Sequence, residues 1–237
     1  MEERNIRTAM LIGEDSVDKL RTSTVAIFGL GGVGGHATEA LVRSGVGSVD
    51  LIDNDTVSES NINRQLFATY NTLGRLKTDV AEERILSINP SCRVKKHAVF
   101  VTPEIINEMD FSRYDFVIDA IDTVSAKIAI AEKCQNENIP LISSMGTGNK
   151  LDPTKFEISD IYKTSVCPLA RVMRNELRRR GIKALKVLYS KEEPVKPIKL
   201  AEETDKKSNK PIPASISFVP SAAGLIIAGE AIKSIIK

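Results

Sequence analysis

The sequence is poor in cysteine and lacks the spacing that thiol-based sites need. Its three cysteines, Cys92, Cys134 and Cys167, are scattered over 237 residues, and none forms a Cys-x-x-Cys pair. Structural zinc sites and disulfide frameworks usually depend on closely spaced or evenly paired cysteines. We therefore expect no zinc and no disulfide framework, and a cytoplasmic protein.

The chain also lacks a leader-like start and a long hydrophobic run. No cationic segment leads into an apolar core near the start, which argues against a signal peptide. The longest apolar stretch, Ala222 to Gly229, ends at Glu230 and is far shorter than the ~20 residues that cross a bilayer. We expect no transmembrane segment. The final helix, to Ile236, is expected to pack in the core or at a dimer interface, and peripheral membrane contact is left open.

Charge is divided unevenly along the chain. The net charge is only +2, but residues 163–237 contain 16 Lys and Arg against 7 Asp and Glu, so the first two thirds are acidic. A basic C-terminal third on an acidic body favours a polyanionic partner. A solvated helix face followed by a charged loop is the alternative interpretation of charge alone.

Strands and helices alternate between residues 24 and 144. Such alternation predicts a Rossmann-like α/β fold, with a mostly parallel sheet and helices on both faces. The predicted strands are residues 24–28, 49–53, 93–101, 115–121 and 139–144. The predicted helices end at about Ser44, cover 73–87 and 125–137, and include a short helix after Pro103.

The pattern changes beyond Gly146. We predict a strand at 156–162, a basic helix at 168–180, a mobile proline-rich loop at 191–214, a last strand at 216–219 and a helix capped by Ser221. The chain then divides into three parts. They are a main domain (1–165), a small basic C-terminal appendage of helix and loop (166–214), and a final strand and helix that pack back on the main domain (215–237).

A glycine-rich loop follows the first predicted strand. Gly29, Gly31 and Gly34 form a Gly-x-Gly-x-x-Gly motif between a strand and a helix, where backbone N–H groups can bind phosphates. Asp53 stands 19 residues after Gly34, which is the spacing of a carboxylate that binds ribose hydroxyls. The motif predicts a nucleotide site. NAD, FAD and ATP all fit it, and a purely structural use of the glycines is the alternative.

Three charged residues distinguish between these nucleotides and favour ATP. Arg64 follows the second strand, Lys77 opens the next helix, and Asp122 ends a later strand, so all three are expected to face one cleft. A carboxylate that attacks the α-phosphate of ATP brings two anions together, and at about 4 Å they repel by roughly 4 kcal/mol at an effective dielectric near ~20. Arg64 and Lys77 can offset this repulsion, and Asp122 can hold Mg²⁺. Taken singly, the cations fit solvated surface groups and Asp122 fits a helix cap.

In order along the chain, these residues resemble the ubiquitin-activating-enzyme-like superfamily, which includes bacterial enzymes that adenylate sulfur-carrier proteins. The matching pieces are Arg4-x-x-Arg7, Gly29–Gly34, Asp53-Asn-Asp-Thr-Val-Ser-x-Ser-Asn-Ile-Asn-Arg-Gln65, Lys77 and Asp119-Ala-Ile-Asp122. The resemblance implies ATP and Mg²⁺ as cofactors, with 1–165 as the adenylation domain. It assigns nucleotide binding to Gly29, Gly31, Gly32, Gly34, Asp53, Asp55 and Asn61. It assigns catalysis to Arg64, Lys77 and the magnesium-linked Asp122. It also implies a homodimer in which Arg7 reaches the ATP site of the neighbouring subunit.

Two departures narrow the resemblance to one branch. Sulfur-carrier activators commonly carry two Cys-x-x-Cys pairs, and ubiquitin-type activators form a thioester on a cysteine, for which this chain offers only Cys167 downstream. The details instead resemble the enzymes that dehydrate threonylcarbamoyladenosine in tRNA. The further matching stretches are 7–13, 88–94, 100–103, 117–122 and 151–154.

This branch implies an ATP-dependent cyclisation of threonylcarbamoyladenosine next to the tRNA anticodon. The threonyl carboxylate is adenylated and a group of the same side chain attacks it, so ring closure is intramolecular and needs no enzyme cysteine. The segment 166–214 then faces tRNA. The arginines expected to bind tRNA phosphates are Arg171, Arg174, Arg178, Arg179 and Arg180. A sulfur-relay or desulfurase-system partner is left open.

Three other functions stay open on the sequence. An activator of the C-terminal glycine of a ubiquitin-like sulfur-carrier protein shares the ATP site but not the acceptor. A nicotinamide oxidoreductase fits the span from Gly29 to Asp53 but gives Arg64, Lys77 and Asp122 no role. A non-catalytic tRNA-binding or scaffold module would keep its function when Lys77 and Asp122 are lost.

Overall fold

Seven strands and eight α-helices contain most of the residues that the computed structural model describes, which are 2–198 and 213–237. The strands are β1 (Thr24–Phe28), β2 (Ser48–Ile52), β3 (Arg93–His97), β4 (Phe116–Asp119), β5 (Leu141–Ser144), β6 (Phe156–Asp160) and β7 (Lys186–Ser190). The helices are α1 (Ile6–Ile12), α2 (Glu14–Thr22), α3 (Gly34–Arg43), α4 (Lys77–Ile88), α5 (Pro103–Glu108), α6 (Val124–Asn136), α7 (Pro168–Arg179) and α8 (Phe218–Ile235).

The strands form one sheet in the order β3-β2-β1-β4-β5-β7-β6. All neighbours are parallel except β6 and β7, which are antiparallel. β1, β2 and β4 are almost entirely buried, as expected for parallel strands that are covered on both faces. The predicted Rossmann-like, mostly parallel α/β fold is confirmed.

The order of the strands creates a crevice at one edge of the sheet. β1 lies between β2 and β4, and the register pairs Phe28 with both Ile52 and Asp119, so the three strands end level. The chain therefore leaves β1 towards one side of the sheet and later returns on the other side. In open α/β sheets, ligands bind outside the carboxyl ends of the strands at such a reversal.

Helices cover both faces of the sheet, as predicted. One face packs against α2, α3, α4 and α8, with Leu41, Ile85 and Ile227 among its fully buried residues. The other face packs against α5 and α6 through Ile106 and Ile130. A third cluster joins α6, α7 and β7. These layers bury the apolar side of each helix, which supplies most of the stability of such elements.

Two glycine-sized contacts fix α8 against α3. A Cβ built on Gly224 would lie 2.3 Å from the carbonyl oxygen of Val33 and 2.9 Å from Cβ of His36. A Cβ on Gly32 would lie 3.0 Å from Cβ of Pro220. The backbones of α8 and of the glycine-rich loop therefore approach closely, and α8 supports the start of α3.

The predicted final strand is wrong, and so is the cap at Ser221. Ile216 has no strand partner among the described residues, and α8 begins at Phe218. Ser221 lies inside the first turn of α8, where its hydroxyl donates to the carbonyl oxygen of Ser217 (2.7 Å). The helix begins early because Val219 and Pro220 pack against the core, and proline is tolerated in a first helical turn, where backbone N–H groups have no partner.

The segment predicted as a basic appendage is partly integrated with the sheet. The sequence analysis missed β7, which lies between β5 and β6, and α7 covers it with Met173 and Leu177 fully buried. The division at 165 and 214 stays a prediction. Most of the predicted mobile loop, 199–212, lies outside the described residues.

The final helix is longer than its apolar run suggests. Phe218–Ile235 has 18 residues and a mean hydropathy of 1.4, enough in length and composition to cross a membrane, and it is the one such helix in the described ranges. Ala223, Ile227 and Ala231 on it are fully buried in the core. Packing on α3 and the sheet accounts for the apolar residues on this face, whereas Phe218 and Leu225 are 45% and 55% exposed.

Replacing Gly224 with alanine tests the close packing of α8 on α3. Gly224→Ala places a Cβ against the backbone of Val33, and we expect a loss of about 1–3 kcal/mol of unfolding free energy. The matched control is Gly229→Ala on the same helix, where a Cβ meets nothing within 4 Å. This control should gain about 0.5–1 kcal/mol because alanine favours the helix. Urea denaturation measures the unfolding free energy of both variants, and equal changes in the two would contradict the close contact at Gly224.

Candidate active site

The glycine-rich loop joins β1 to α3 at the crevice. Gly29 has φ +88°, and a Cβ on it would lie 2.8 Å from the carbonyl oxygen of Ala120. A Cβ on Gly34 would lie 1.8 Å from the carbonyl oxygen of Gly29. Both positions require glycine for the turn itself, so Gly29 and Gly34 have a structural role.

Gly31 differs from these two positions because the space above it is open. A Cβ there would meet only Nε2 of Gln65, at 3.9 Å. An anion can therefore approach the loop backbone at the start of α3, where N–H groups point outwards and the helix dipole is positive. The structural and nucleotide-binding interpretations of the motif are compatible, because they concern different glycines.

Asp53 follows β2 and is tied to the glycine-rich loop. Its Oδ2 accepts the backbone N–H of Leu30 (2.7 Å) and its Oδ1 accepts that of Asp55 (2.8 Å). Burial raises the pKa of this carboxyl, and the charge of Lys77 and the two backbone donors oppose that shift. An ionised carboxylate can accept about four hydrogen bonds, so each oxygen keeps room for a hydroxyl donor such as a ribose 2′- or 3′-OH.

Lys77 opens α4, which begins four residues later than the helix predicted at 73–87, and its charge is buried. The Lys77 side chain is 5% exposed, and its Nζ donates to Oδ2 of Asp55 at 2.8 Å. The Asp55 side chain is 61% exposed, so the ion pair opens towards solvent on one side only. The backbones of the two residues are also joined, because the N–H of Lys77 donates to the carbonyl oxygen of Asp55 (3.0 Å).

Arg64 and Asn61 lie in the segment between β2 and α4. Asn61 closes a short 3-10 turn whose first residue is Glu59, and its Oδ1 accepts the backbone N–H of Ser58 (3.3 Å). Arg64 is half-buried, and one of its terminal nitrogens, Nη1, donates to the carbonyl oxygen of Ser60 and to Oδ1 of Asn63, both at 2.8 Å. Burial lowers the pKa of this guanidinium. Its other N–H groups are left for an anion.

Asp122 lies in the turn between β4 and α6 and is exposed. Thr123 donates to its Oδ1 at 3.5 Å, a long contact, and no cation pairs with it in the described ranges. The cap alternative is not supported, because the residue that precedes α6 is Thr123 and no side chain caps that helix. An exposed carboxylate without a cationic partner is suited to a divalent metal.

The crevice brings these groups to one edge. The glycine-rich loop touches the β4 turn through Ala120 and Ile121, the Arg64 segment at Gly32, and Asp53 at Leu30. Asp53, Asp55 and Lys77 form one electrostatic group. The residue set fits a nucleoside triphosphate: N–H groups and two cations for phosphates, a buried carboxylate for ribose, and a free carboxylate for Mg²⁺.

Sequence reasoning missed a buried charged group behind this crevice. Lys127 and Asp119 are fully buried and paired at 2.9 Å, and both contact Ser143. A signal was present, because Lys127 stands in the run Ala126-Lys-Ile-Ala-Ile-Ala131, where a lysine among buried apolar residues needs a partner.

Arg7 does not join the crevice of its own chain. It lies on α1, exposed, beside a helix surface that also exposes Met10 (83%) and Leu11 (85%). No bond from Arg7 to a predicted site residue occurs within 2–198 and 213–237. Its role in a neighbouring subunit stays a prediction.

The five arginines predicted to bind tRNA lie on or just after α7 and are used differently. Arg174 is half-buried and donates to the carbonyl oxygen (3.1 Å) and hydroxyl of Thr164, and Arg178 stacks at 5.2 Å on the ring of Tyr162. Arg179 and Arg180 pair with Glu176. Arg171 is exposed. Their contact with tRNA stays a prediction.

The three cysteines lie in three different hydrophobic clusters. Cys92 packs on the α3 side of the sheet, Cys134 on the α6 side, and Cys167 beneath α7. Burial raises the pKa of Cys92 to about 11 and that of Cys134 to about 12. Cys167 is 2% exposed, which fits a structural role better than a thioester.

Two surface cavities lie away from the crevice. One, of about 340 Å³, is lined by Asp50, Arg93 and Arg113, and another, of about 350 Å³, by Arg4 and Arg84. Neither contains a predicted site residue. The assignment of the site therefore depends on the loop contacts and the charges rather than on cavity volume.

Comparison with known proteins shows the family and the fold of the chain. The chain is 44% identical over 98% of its length, and 94% of the relative's, to a tRNA threonylcarbamoyladenosine dehydratase of Bacillus subtilis. Its fold matches crystal structures of E. coli tRNA N6-threonylcarbamoyladenosine dehydratase in complex with AMP (TM-score 0.89, 34% identity, 98% of this chain and 94% of that one) and with ATP (0.88, 33%, 98% and 93%). The model of the ThiF family matches residues 2–237. The chain belongs to the ThiF family.

Proposed function

We propose that this chain is an ATP-dependent tRNA threonylcarbamoyladenosine dehydratase. It adenylates the threonyl carboxylate of the modified adenosine and then closes a ring within that side chain, with net loss of water. The observation that carries the proposal is the crevice itself. Half-buried Arg64 and exposed Asp122 lie on segments that contact the glycine-rich loop, and buried Lys77 joins them through Asp55 and Asp53. Asp122 pairs with no cation within 2–198 and 213–237. The 44% identity to the Bacillus subtilis dehydratase supports the choice of acceptor.

The cations of the crevice address the main energetic difficulty of the reaction. A carboxylate must approach a phosphate, and like charges about 4 Å apart repel by roughly 4 kcal/mol at an effective dielectric near ~20. Lys77 acts from a buried position, where its field is weakly screened, and Arg64 adds a planar donor that suits phosphate oxygens. These two groups stabilise the charge that develops as pyrophosphate leaves.

The carboxylates have separate tasks. Asp53 is fixed by Leu30 and Asp55 and orients the ribose through its remaining acceptor capacity. Asp122 is the residue that would hold Mg²⁺ together with phosphate oxygens. The metal, when bound, neutralises phosphate charge during adenylation.

Ring closure needs no group on the enzyme that forms a covalent bond. The nucleophile and the activated carbonyl belong to one side chain of the modified adenosine, so the second step is intramolecular. This agrees with the buried position of all three cysteines. We place the protein in the cytoplasm and give zinc no part in the reaction.

We infer that the protein acts as a homodimer in which Arg7 reaches the partner's crevice. The support is α1, whose apolar side chains Ile6, Met10 and Leu11 are 44%, 83% and 85% exposed next to Arg7. A helix that exposes large apolar residues favours a subunit contact. An arginine supplied in trans can be worth about 10³–10⁵ in phosphoryl transfer.

The first test compares acceptors. Purified protein with ATP and Mg²⁺ should release AMP only when tRNA carrying threonylcarbamoyladenosine is added, because the carboxylate to be adenylated belongs to that nucleoside. Unmodified tRNA is the control. Release driven instead by a ubiquitin-like carrier protein with a C-terminal glycine would replace the proposed function with carrier activation.

Substitutions in the crevice should reduce turnover without unfolding the chain. We expect Lys77→Met and Asp122→Asn each to lower kcat for tRNA-dependent AMP release by about 10²–10³, the usual effect of removing one charge-stabilising group. Lys95→Met, an exposed lysine on β3, is the matched control and should keep wild-type turnover. Steady-state AMP release and thermal unfolding are measured together. Wild-type turnover in either crevice variant would refute the assigned role.

Mixing two inactive variants tests the shared site. Arg7→Ala and Asp122→Asn are each expected to be inactive, but mixed protomers form one complete site per heterodimer when Arg7 acts in trans. At random exchange, about a quarter of wild-type activity should return, since half of the dimers are mixed. No recovery, although native mass spectrometry shows heterodimers, would mean that Arg7 acts within its own chain or not at all.

Salt dependence tests the basic helix. The double variant Arg171→Ala/Arg178→Ala should bind tRNA more weakly, and the slope of log K against log salt should become shallower by about one unit per lost phosphate contact. Arg21→Ala on α2, also an exposed arginine, serves as the control. Fluorescence anisotropy with labelled tRNA gives both quantities. An unchanged slope would exclude α7 from the tRNA contact.

A further inference from the structure

The buried group behind the crevice is fully satisfied by hydrogen bonds. Nζ of Lys127 donates to both carboxylate oxygens of Asp119 (2.9 and 3.0 Å) and contacts Oγ of Ser143 at 3.2 Å. The Ser143 hydroxyl donates to Oδ2 of Asp119 at 2.6 Å. Asp119 and Ser143 are neighbours in the β4–β5 register, and Lys127 reaches them from the first turn of α6. We call these three residues the Asp119 network.

Stability alone does not account for the Asp119 network. Both charged side chains are 0% exposed, and taking an ion pair out of water costs about as much as the pair regains, so apolar replacements are often neutral or stabilising. The surroundings are apolar, with Val117 and Ile130 fully buried on the same side of the sheet. A leucine and a methionine would suit this environment.

The remaining bond of Asp119 points to a different task. Oδ1 of Asp119 also accepts the backbone N–H of Ile121 (3.3 Å), inside the turn that carries Asp122. In the same turn the N–H of Ala120 donates to the carbonyl oxygen of Phe28 (2.8 Å), and its own carbonyl oxygen lies against Gly29. One buried carboxylate therefore connects β5 and α6 to the turn that borders the glycine-rich loop.

We propose that the Asp119 network holds the turn 120–123 in the conformation that presents Asp122 to the crevice. Asp119, Lys127 and Ser143 are positioning residues, because they are enclosed and touch no substrate. Lys127 holds the carboxylate of Asp119 in place by donating to both of its oxygens, Ser143 fixes its orientation, and Asp119 fixes the backbone of the turn. The proposal rests on the role of Asp122 in the proposed function.

A positioning role predicts a specific kinetic pattern. Nucleotide affinity depends mainly on the glycine-rich loop and Asp53, which hold each other through Leu30, so KM for ATP should change less than about twofold. Turnover depends on where Asp122 lies, and displacing a catalytic group by ~1 Å can cost about 10²-fold. Loss of the network should therefore lower kcat and leave KM for ATP nearly constant.

Four variants of the full-length protein test this pattern. Asp119→Leu/Lys127→Met removes both charges together and avoids an unpaired buried charge, and Ser143→Ala removes one hydrogen bond at little risk to folding. Lys127→Arg retains the charge. Ile130→Val, on the same helix and fully buried, controls for core disturbance. Each is measured for kcat and KM in AMP release, for thermal unfolding, and for hydrogen exchange of the peptide that contains 120–123.

We expect the double variant to unfold near the wild-type temperature, to lose at least tenfold in kcat, and to exchange faster in the 120–123 peptide. The kcat of Ser143→Ala should fall about threefold to tenfold. The kcat of Lys127→Arg should be higher than that of the double variant, and the kcat of Ile130→Val should equal that of the wild type. Wild-type kcat in the folded double variant overturns the proposal. If the double variant does not fold, wild-type kcat and exchange in Ser143→Ala overturn it.

Asp122→Asn, measured beside these variants, separates the two hypotheses. Full turnover in Asp122→Asn would refute the role of Asp122 in the proposed function, whatever the network does. Fast exchange of the 120–123 peptide in the network variants would still support the hold on the turn, whereas slow, wild-type exchange in all of them would refute it.

Discussion

Contact between the backbones of two loops is the constraint on which the site depends. β1 and β4 are adjacent and end level, so the residues after them, Gly29 and Ala120, meet with no space for a Cβ between them. Gly29 can turn here because its φ of +88° is accessible to glycine, and the tight turn then brings Gly34 under its carbonyl oxygen at the start of α3. The direction of α3, the open space at Gly31 and the place of the Asp122 turn all follow from this contact.

The buried charge of the crevice, Lys77, has a partner that it can exchange for a ligand. A buried ammonium without a partner costs several kcal/mol, and Asp55 meets this need for Lys77. Because the Asp55 side chain is 61% exposed, its carboxylate can turn to water when a phosphate takes its place, so the exchange costs little. The opposite design occurs behind the crevice, where Lys127 and Asp119 are both enclosed and cannot exchange partners at such low cost. The first pair suits binding and the second suits rigidity.

Local patterns were sufficient to predict the parts of the fold that depend on local chemistry. The strand at 24–28, the glycine-rich loop and the helix that opens at Lys77 agree with the structure because turn geometry and apolar runs decide them. The predicted strand at 216–219 is wrong because contacts far away in sequence, above all Pro220 against Gly32, favour a helix there.

The parts that sequence reasoning missed depend on long-range pairing. The run Val187-Leu-Tyr189 favours a strand, but the place of β7 between β5 and β6 depends on pairing that the local sequence does not specify. Lys127 is visible as an anomaly in an apolar run, but its partner is set by the β4–β5 register that places Asp119 beside Ser143. The candidate site was therefore predictable as a list of residues, whereas the support behind Asp122 required the coordinates.

The basic helix α7 shows how far a count of charges can mislead. Arg179 and Arg180 both form ion pairs with Glu176 of α7. These pairs are exposed, however, and exposed ion pairs are worth only about 0–1 kcal/mol. A phosphate with two charge-assisted bonds competes effectively with such a pair. The guanidinium carbon of Arg178 lies 5.2 Å from the ring centre of Tyr162, a cation–π contact that restricts this side chain. Internal pairing is therefore expected to weaken the proposed contact of α7 with tRNA without preventing it. Among the five arginines, exposed Arg171 in the first turn has the fewest contacts within the described part of the chain.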